Sequence, residues 1–179
     1  KEVKIPACKS IGSYAFKDCI SLENIDLTLC KTIGGDAFYG CKALKELNLP
    51  ACDSLGSRPF IGCASLETIN MPLVPSIPEG YSDNWIDENG ESHWGCRGTF
   101  WGCKLLKEVK APACTSLANS VFKDCALLEN IDLSSCKNIG CEAFSGCVAL
   151  KEIKASVCDS IGSSVFMNCA SLAKIDLYD

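Results

Sequence analysis

Residues 16–27 read FKDCISLENIDL, and this pattern recurs along the chain. Phe16, Phe38, Phe60, Phe100, Phe122, Phe144 and Phe166 each stand three residues before a cysteine. Six residues after each Phe comes a leucine, from Leu22 to Leu172, and an aliphatic residue follows three later, from Ile25 to Ile175. Successive Phe residues are 22 apart, except for the 40 between Phe60 and Phe100. A fixed period of roughly 20 residues is the signature of a solenoid, in which each coil of chain packs mainly on its neighbours.

Within a coil, apolar and polar residues alternate from Leu22 to Leu27, which predicts a short half-buried strand. Stacked coils place these strands in one parallel sheet, about 4.8 Å apart. Pro6, Pro50, Pro72 and Pro112 follow strands directly, where a missing N–H ends a ladder. An Ile-Gly or Leu-Gly step then turns the chain. The Ala-Phe and Cys after it, as at Ala15, Phe16 and Cys19, predict one short helical turn with an inward face.

These Ile-Gly, Ala-Phe, Gly-Cys and Leu-x-x-Ile-x-Leu steps resemble the BspA-type leucine-rich repeat, over all but about residues 75–99. The expected fold is an α/β repeat solenoid: a right-handed leucine-rich-repeat superhelix over 1–179, with one parallel β-sheet face and short helical turns opposite. The handedness follows the rule for parallel crossovers. The resemblance implies a non-enzymatic interaction protein, extracellular or on a cell surface, that binds host or matrix protein. Two features depart from the family pattern: cysteine at a second core position usually held by Val, and an insertion in mid-array. Because both ends fall on repeat sequence, we expect a segment of a longer array. That leaves two other readings open: a structural spacer presenting other domains, or an intracellular interaction scaffold.

Charge narrows the partners. The net charge is −5, and Glu79, Asp83, Asp87, Glu88 and Glu91 fall in residues 79–96, which hold no Lys or Arg. Removing those five from the 22 acidic residues leaves 17 against 17 basic ones, so the repeat body is neutral. Nucleic acid and anionic membrane both select basic surfaces and are not expected partners. No apolar run approaches the roughly 18 residues of a membrane-spanning helix. The residue after each strand Leu alternates in sign, as Glu23, Lys45, Glu67, Lys107, Glu129 and Lys151. The underlying unit is therefore two coils, and residues 1–44 match 107–150 at 28 of 44 positions. Such a face is self-complementary across coils; a ligand groove on it is the other reading.

The 15 cysteines form two columns. One follows the Phe positions; the other is Cys8, Cys30, Cys52, Cys114, Cys136 and Cys158, with Val74 in the same register, and only Cys96 and Cys141 stand apart. An odd count, the plain hydrophobe at Val74 and a coil spacing wide for a disulfide all favour buried, reduced thiols acting as small hydrophobes.

The insertion holds what is individual to the chain. Phe100 arrives 18 residues late. Within it, Asn89-Gly90 is a strong two-residue hairpin signal, and that turn sets Trp85 opposite Trp94. We expect an acidic, aromatic hairpin at about 79–96 that serves as the recognition element, with Tyr81, Trp85, Glu88, His93 and Trp94 as ligand-binding residues and its rings lying near Trp101. A purely structural bulge stapled by its aromatics is the competing reading. His93, Cys96 and Cys103 have loose zinc spacing, and Asp83, Asp87, Asn89 and Glu91 could gather at calcium, but neither set fits an ordered ligand spacing, so no metal and no cofactor is expected. His93 is the one histidine and has no orienting frame, and no phosphate-binding glycine motif occurs, so no catalytic residue is assigned.

Overall fold

A computed structural model of the chain describes residues 1–80, 82–86 and 90–177, and for Asp83, Trp85 and His93 the backbone alone. The strands of the first ladder follow one another in three hydrogen-bonded groups: Glu2–Lys4 with Asn24–Asp26, then Glu46–Asn48, Thr68–Asn70, Glu108–Lys110 and Asn130–Ile131, then Glu152–Lys154 with Lys174–Asp176. Pairing is parallel and in register: Val3 faces Ile25, Leu47 faces Ile69, and Ile69 faces Val109 across the insertion. A second ladder of two-residue strands stacks in the same sense in two groups, Ser10–Ile11 to Ser54–Leu55 and Ser76–Ile77 to Ser160–Ile161.

The core is columnar. Phe rings stack from Phe16 to Phe166 with centroids 5.1–6.0 Å apart. Phe60 and Phe100 are 40 residues apart in sequence, yet their rings stack at 5.5 Å like the others. Both ladders also step across the same gap, since Ile77 pairs with Leu117. The extra residues therefore leave the coil after Ile77 and return before Phe100 without disturbing the stack.

One expectation is corrected. Among the described residues there is no helix: they form a solenoid of parallel strands in which the segments around each Phe are successive tight turns, not short helices. Two features forbid a helix there. Backbone N–H groups of Tyr14, Phe16 and Asp18 donate across to Gly35, Ala37 and Tyr39 of the next coil at 2.7–3.0 Å, which removes the donors that i→i−4 bonding needs. The residues two before and two after the Phe are left-handed in most coils, as at Asp36 (φ 51°) and Gly40 (φ 71°). A helix cannot pass through such residues. Gly, Asp and Asn recur at the second of these positions, which fits their tolerance of that conformation.

The cysteines lie where the two columns put them, and they do more than fill space. In the first column every thiol from Cys41 to Cys169 donates to the Phe carbonyl of the coil before, as Cys41 to Phe16 at 3.1 Å and Cys103 to Phe60 at 3.2 Å. In the second column each donates two residues onward to the backbone, as Cys30 to Thr32 at 3.3 Å. A hydrophobe of similar size would leave those carbonyls with less hydrogen bonding. Burial pushes the Cys41 thiol up to about 12 and those of Cys52 and Cys136 up to about 11, and it also raises Cys63 and Cys125. All are protonated and poorly nucleophilic at neutral pH.

The alternating charges meet across coils. Lys107 pairs with Glu67 at 2.8 Å and Lys151 with Glu129 at 3.2 Å, and at the next position along the strand Lys174 pairs with Glu152 at 2.9 Å. These pairs are exposed and screened by salt, so they set the order of coils more than they stabilise it.

Candidate functional site

The insertion forms an antiparallel ribbon of two strands, Ser82–Ile86 and Ser92–Cys96. Its register differs from the one the Asn-Gly signal predicts. Ser92 faces Ile86, His93 faces Trp85 and Trp94 faces Asn84, a slip of one residue. Trp85 and Trp94 are therefore not a cross-strand pair; their positions lie on opposite faces of the ribbon. The base of the ribbon accounts for the slip. Cys96 stands opposite Ser82 and its thiol donates to the Gly80 carbonyl at 3.5 Å, while a Cβ at Gly80 would run into the Arg97 carbonyl. The array clamps the ribbon where it leaves and returns. Gly90, in the tip, is left-handed (φ 83°).

Below the ribbon lies a polar knot that the sequence reading missed. Arg58 and Asp36 are paired at 3.2 Å, with side chains only 4% and 5% exposed. Gly80 passes over them so closely that an added Cβ would meet Arg58 Cδ at 2.6 Å. Arg97 donates to the Tyr39 hydroxyl at 3.3 Å and sits over the Tyr39 and Trp101 rings at 5.9 and 5.5 Å. Lys17 lies over Tyr14 and Tyr39 at 5.4 and 4.9 Å. Thr99 donates to the Pro78 carbonyl at 2.6 Å and closes the exit. A signal was present: Arg58 and Arg97 are the only arginines in the chain, and they flank the insertion. Arginine suits a buried pair or an aromatic face better than lysine does.

Of the residues singled out for binding, Trp94 is displayed, with 71% of its surface exposed. Trp85 and His93 are placed by backbone alone, facing each other. Tyr81 and Glu88 lie outside the described residues. Trp101 lies against Arg97 and lines the same cleft as Trp94, but the Trp94 ring is exposed and not packed down on the array. Cys103 is fully buried in its column and bonded to Phe60, which removes it from any ligand set with Cys96. Among the described residues no group of three His, Cys, Asp or Glu gathers to hold a metal ion. Asp87 and Asn89 of the calcium set lie outside the described residues. No helix among them is long and apolar enough to cross a membrane.

Beside Trp94 the ribbon borders a cleft of about 380 Å³, with Arg97 and Trp101 at its floor and the Lys123–Glu142 pair, 2.6 Å apart, on the far wall. That volume falls within the roughly 300–1,000 Å³ of ligand sites. An exposed aromatic ring, a buried guanidinium and a mixed-charge wall can bind and orient a polar chain segment; they supply no nucleophile and base held in reach of each other.

A family model described as "BspA type Leucine rich repeat region" matches residues 1–81 and 96–179 in six copies, and the gap coincides with the ribbon. Among solved structures, a leucine-rich repeat protein from Eubacterium ventriosum ATCC 27560 is 30% identical, with a TM-score of 0.76 over 93% of this chain and 42% of its own. A leucine-rich repeat protein from Bacteroides ovatus ATCC 8483 is 24% identical, with a TM-score of 0.64 over 98% of this chain and 54% of its own, a likeness of fold. The chain thus spans about half the length of these relatives. No curated protein is significantly similar to it.

Proposed function

This chain belongs to the BspA-type leucine-rich repeat family, and from that premise we propose that it is a non-catalytic protein-binding module of a surface or secreted protein, engaged in attachment to host or matrix protein. The array is the rigid support and the ribbon with its cleft is the contact. The observation that carries this reading is Trp94, an indole 71% exposed on a projecting ribbon whose base is clamped by buried arginines. A structural bulge or a plain spacer gains nothing from leaving such a ring in water, whereas tryptophan is enriched among residues that dominate interface energies. The neutral repeat body supports the same division, because its balanced sheet face exerts little long-range pull on a partner. Placement outside the cell rests on the family.

The test is surface plasmon resonance of the chain and of Trp94→Ala over immobilised extracellular-matrix proteins of a mucosal surface. The expected result is saturable binding to at least one of them. Trp94→Ala weakens it about thirtyfold, the roughly 2 kcal/mol of an interface hot spot. Absence of binding across the panel, or equal binding by both chains, overturns the proposal and leaves the spacer reading.

A further inference from the structure

The cleft meets the ribbon at an edge. Trp94, Gly95 and Cys96 all border it. Successive side chains of a strand point to opposite faces, so three consecutive residues on one cleft place that cleft along the strand's rim. The ribbon has two strands among the described residues, and the rim beside Trp94 and Gly95 carries no third. Over the face at Gly95 space is open, since a Cβ built there meets nothing within 4 Å, so a strand laid on the rim would not be crowded from that face. Natural edges are commonly blunted by Lys, Pro or a bulge, yet Ser92–Cys96 reads SHWGC, with neither Lys nor Pro. A two-stranded ribbon is marginal in water, and a third strand is the usual remedy.

We propose that the Ser92–Gly95 edge accepts an extended, basic segment of a partner protein as a third β-strand. The proposal rests on the binding-module reading and specifies its chemistry. Backbone pairing supplies affinity, and alternate side chains reach the cleft on one side and water on the other. The charge of the occupant follows from the composition of the ribbon segment. Residues 79–96 carry five carboxylates and no Lys or Arg in their sequence, while the rest of the cleft lining is balanced, Asp124 and Glu142 against Arg97 and Lys123. Within that lining Lys123 is paired with Glu142 at 2.6 Å, and Arg97 lies against the Trp101 ring at 5.5 Å. Trp94 offers its ring to an incoming Lys or Arg, a contact the chain already makes internally where Lys17 covers Tyr39 at 4.9 Å.

The experiment titrates the whole chain with three labelled, end-blocked peptides of about eight residues, long enough to cover the strand. One alternates Lys and Val. The second is the same peptide with alternate backbone nitrogens methylated, which keeps its charge but cannot form the ladder. The third replaces Lys by Glu. The Lys–Val peptide is expected to bind saturably; methylation and Trp94→Ala each weaken it about tenfold or more, and the Glu peptide does not bind. Equal binding of the methylated peptide shows charge attraction alone and overturns the proposal. So does absence of saturable binding, or sedimentation showing a second copy on this edge. If the peptides fail while matrix binding still depends on Trp94, the strand-addition mode falls and the binding-module reading stands.

Discussion

Replacing Phe100 with Ala is expected to lower stability by about 3–5 kcal/mol, a fall in melting temperature of roughly 6–20 °C for a chain of this size. Phe100 is fully buried and stacks on Phe60 at 5.5 Å and on Phe122 at 5.1 Å. Its loss opens a cavity and removes ring contacts on both sides of one coil. In a solenoid, stability is nearly a sum of coil and neighbour-interface terms, so a cut in the middle uncouples two halves. Thermal unfolding followed by circular dichroism is therefore expected to broaden or split as well as shift. Phe166→Ala is the control. Phe166 is partly buried and stacks on Phe144 at 5.9 Å, at one end of the described stack, so its loss costs less and leaves a single transition. Equal shifts for both variants would show that the ring column is not continuous across the insertion.

Asp36→Asn is expected to cost about 3 kcal/mol, because it keeps the shape of the side chain but strands the charge of Arg58 under the ribbon. Asn also suits the left-handed backbone at position 36, so the change isolates charge from conformation. Adding Arg58→Met to Asp36→Asn is expected to recover most of the loss, since a buried ion pair replaced by apolar groups of similar volume is often close to neutral. Chemical denaturation of the two single variants and the double variant reads the coupling directly. An Asp36→Asn variant within about 0.5 kcal/mol of the parent, the range of ordinary surface changes, would show that the pair is not buried in solution. Gly80, where the chain leaves for the ribbon, packs directly on Arg58, so a loosened pair is also expected to weaken binding through Trp94.

The repeat made most of this architecture legible. A 22-residue clock with Phe, Cys, Leu and Ile at fixed offsets states the stack, the parallel ladder and both thiol columns before any coordinates exist. The helical turn failed because its evidence was an inward face alone. Left-handed residues at Tyr14, Arg58 and Glu142 have side chains that do not announce that conformation, and the N–H groups that cross to the next coil follow from stacking, not from local propensity. The hairpin was legible as a hairpin. Its register was not, because Asn89-Gly90 reports on the tip, whereas the contacts of Gly80, Cys96 and Arg97 at the base decide the pairing. The Arg58–Asp36 pair stayed hidden because two charges 22 residues apart look like any other exposed pair until the insertion is laid over them. The thiol-to-carbonyl bonds were out of reach for a similar reason: spacing gives the column, and only the packed backbone gives the acceptor.

Thiol counting without added reductant tests the columnar core most directly. In the native protein at pH 8, Cys19 and Cys141, the exposed thiols, are expected to react at once with an aromatic disulfide reagent, and Cys8, Cys96 and Cys169, partly buried, more slowly. The other ten cysteines are buried and are expected to stay silent until the chain is unfolded, when all 15 react. Fewer than 15 thiols after unfolding, or buried-column cysteines as quick as Cys141 in the native state, would contradict the account.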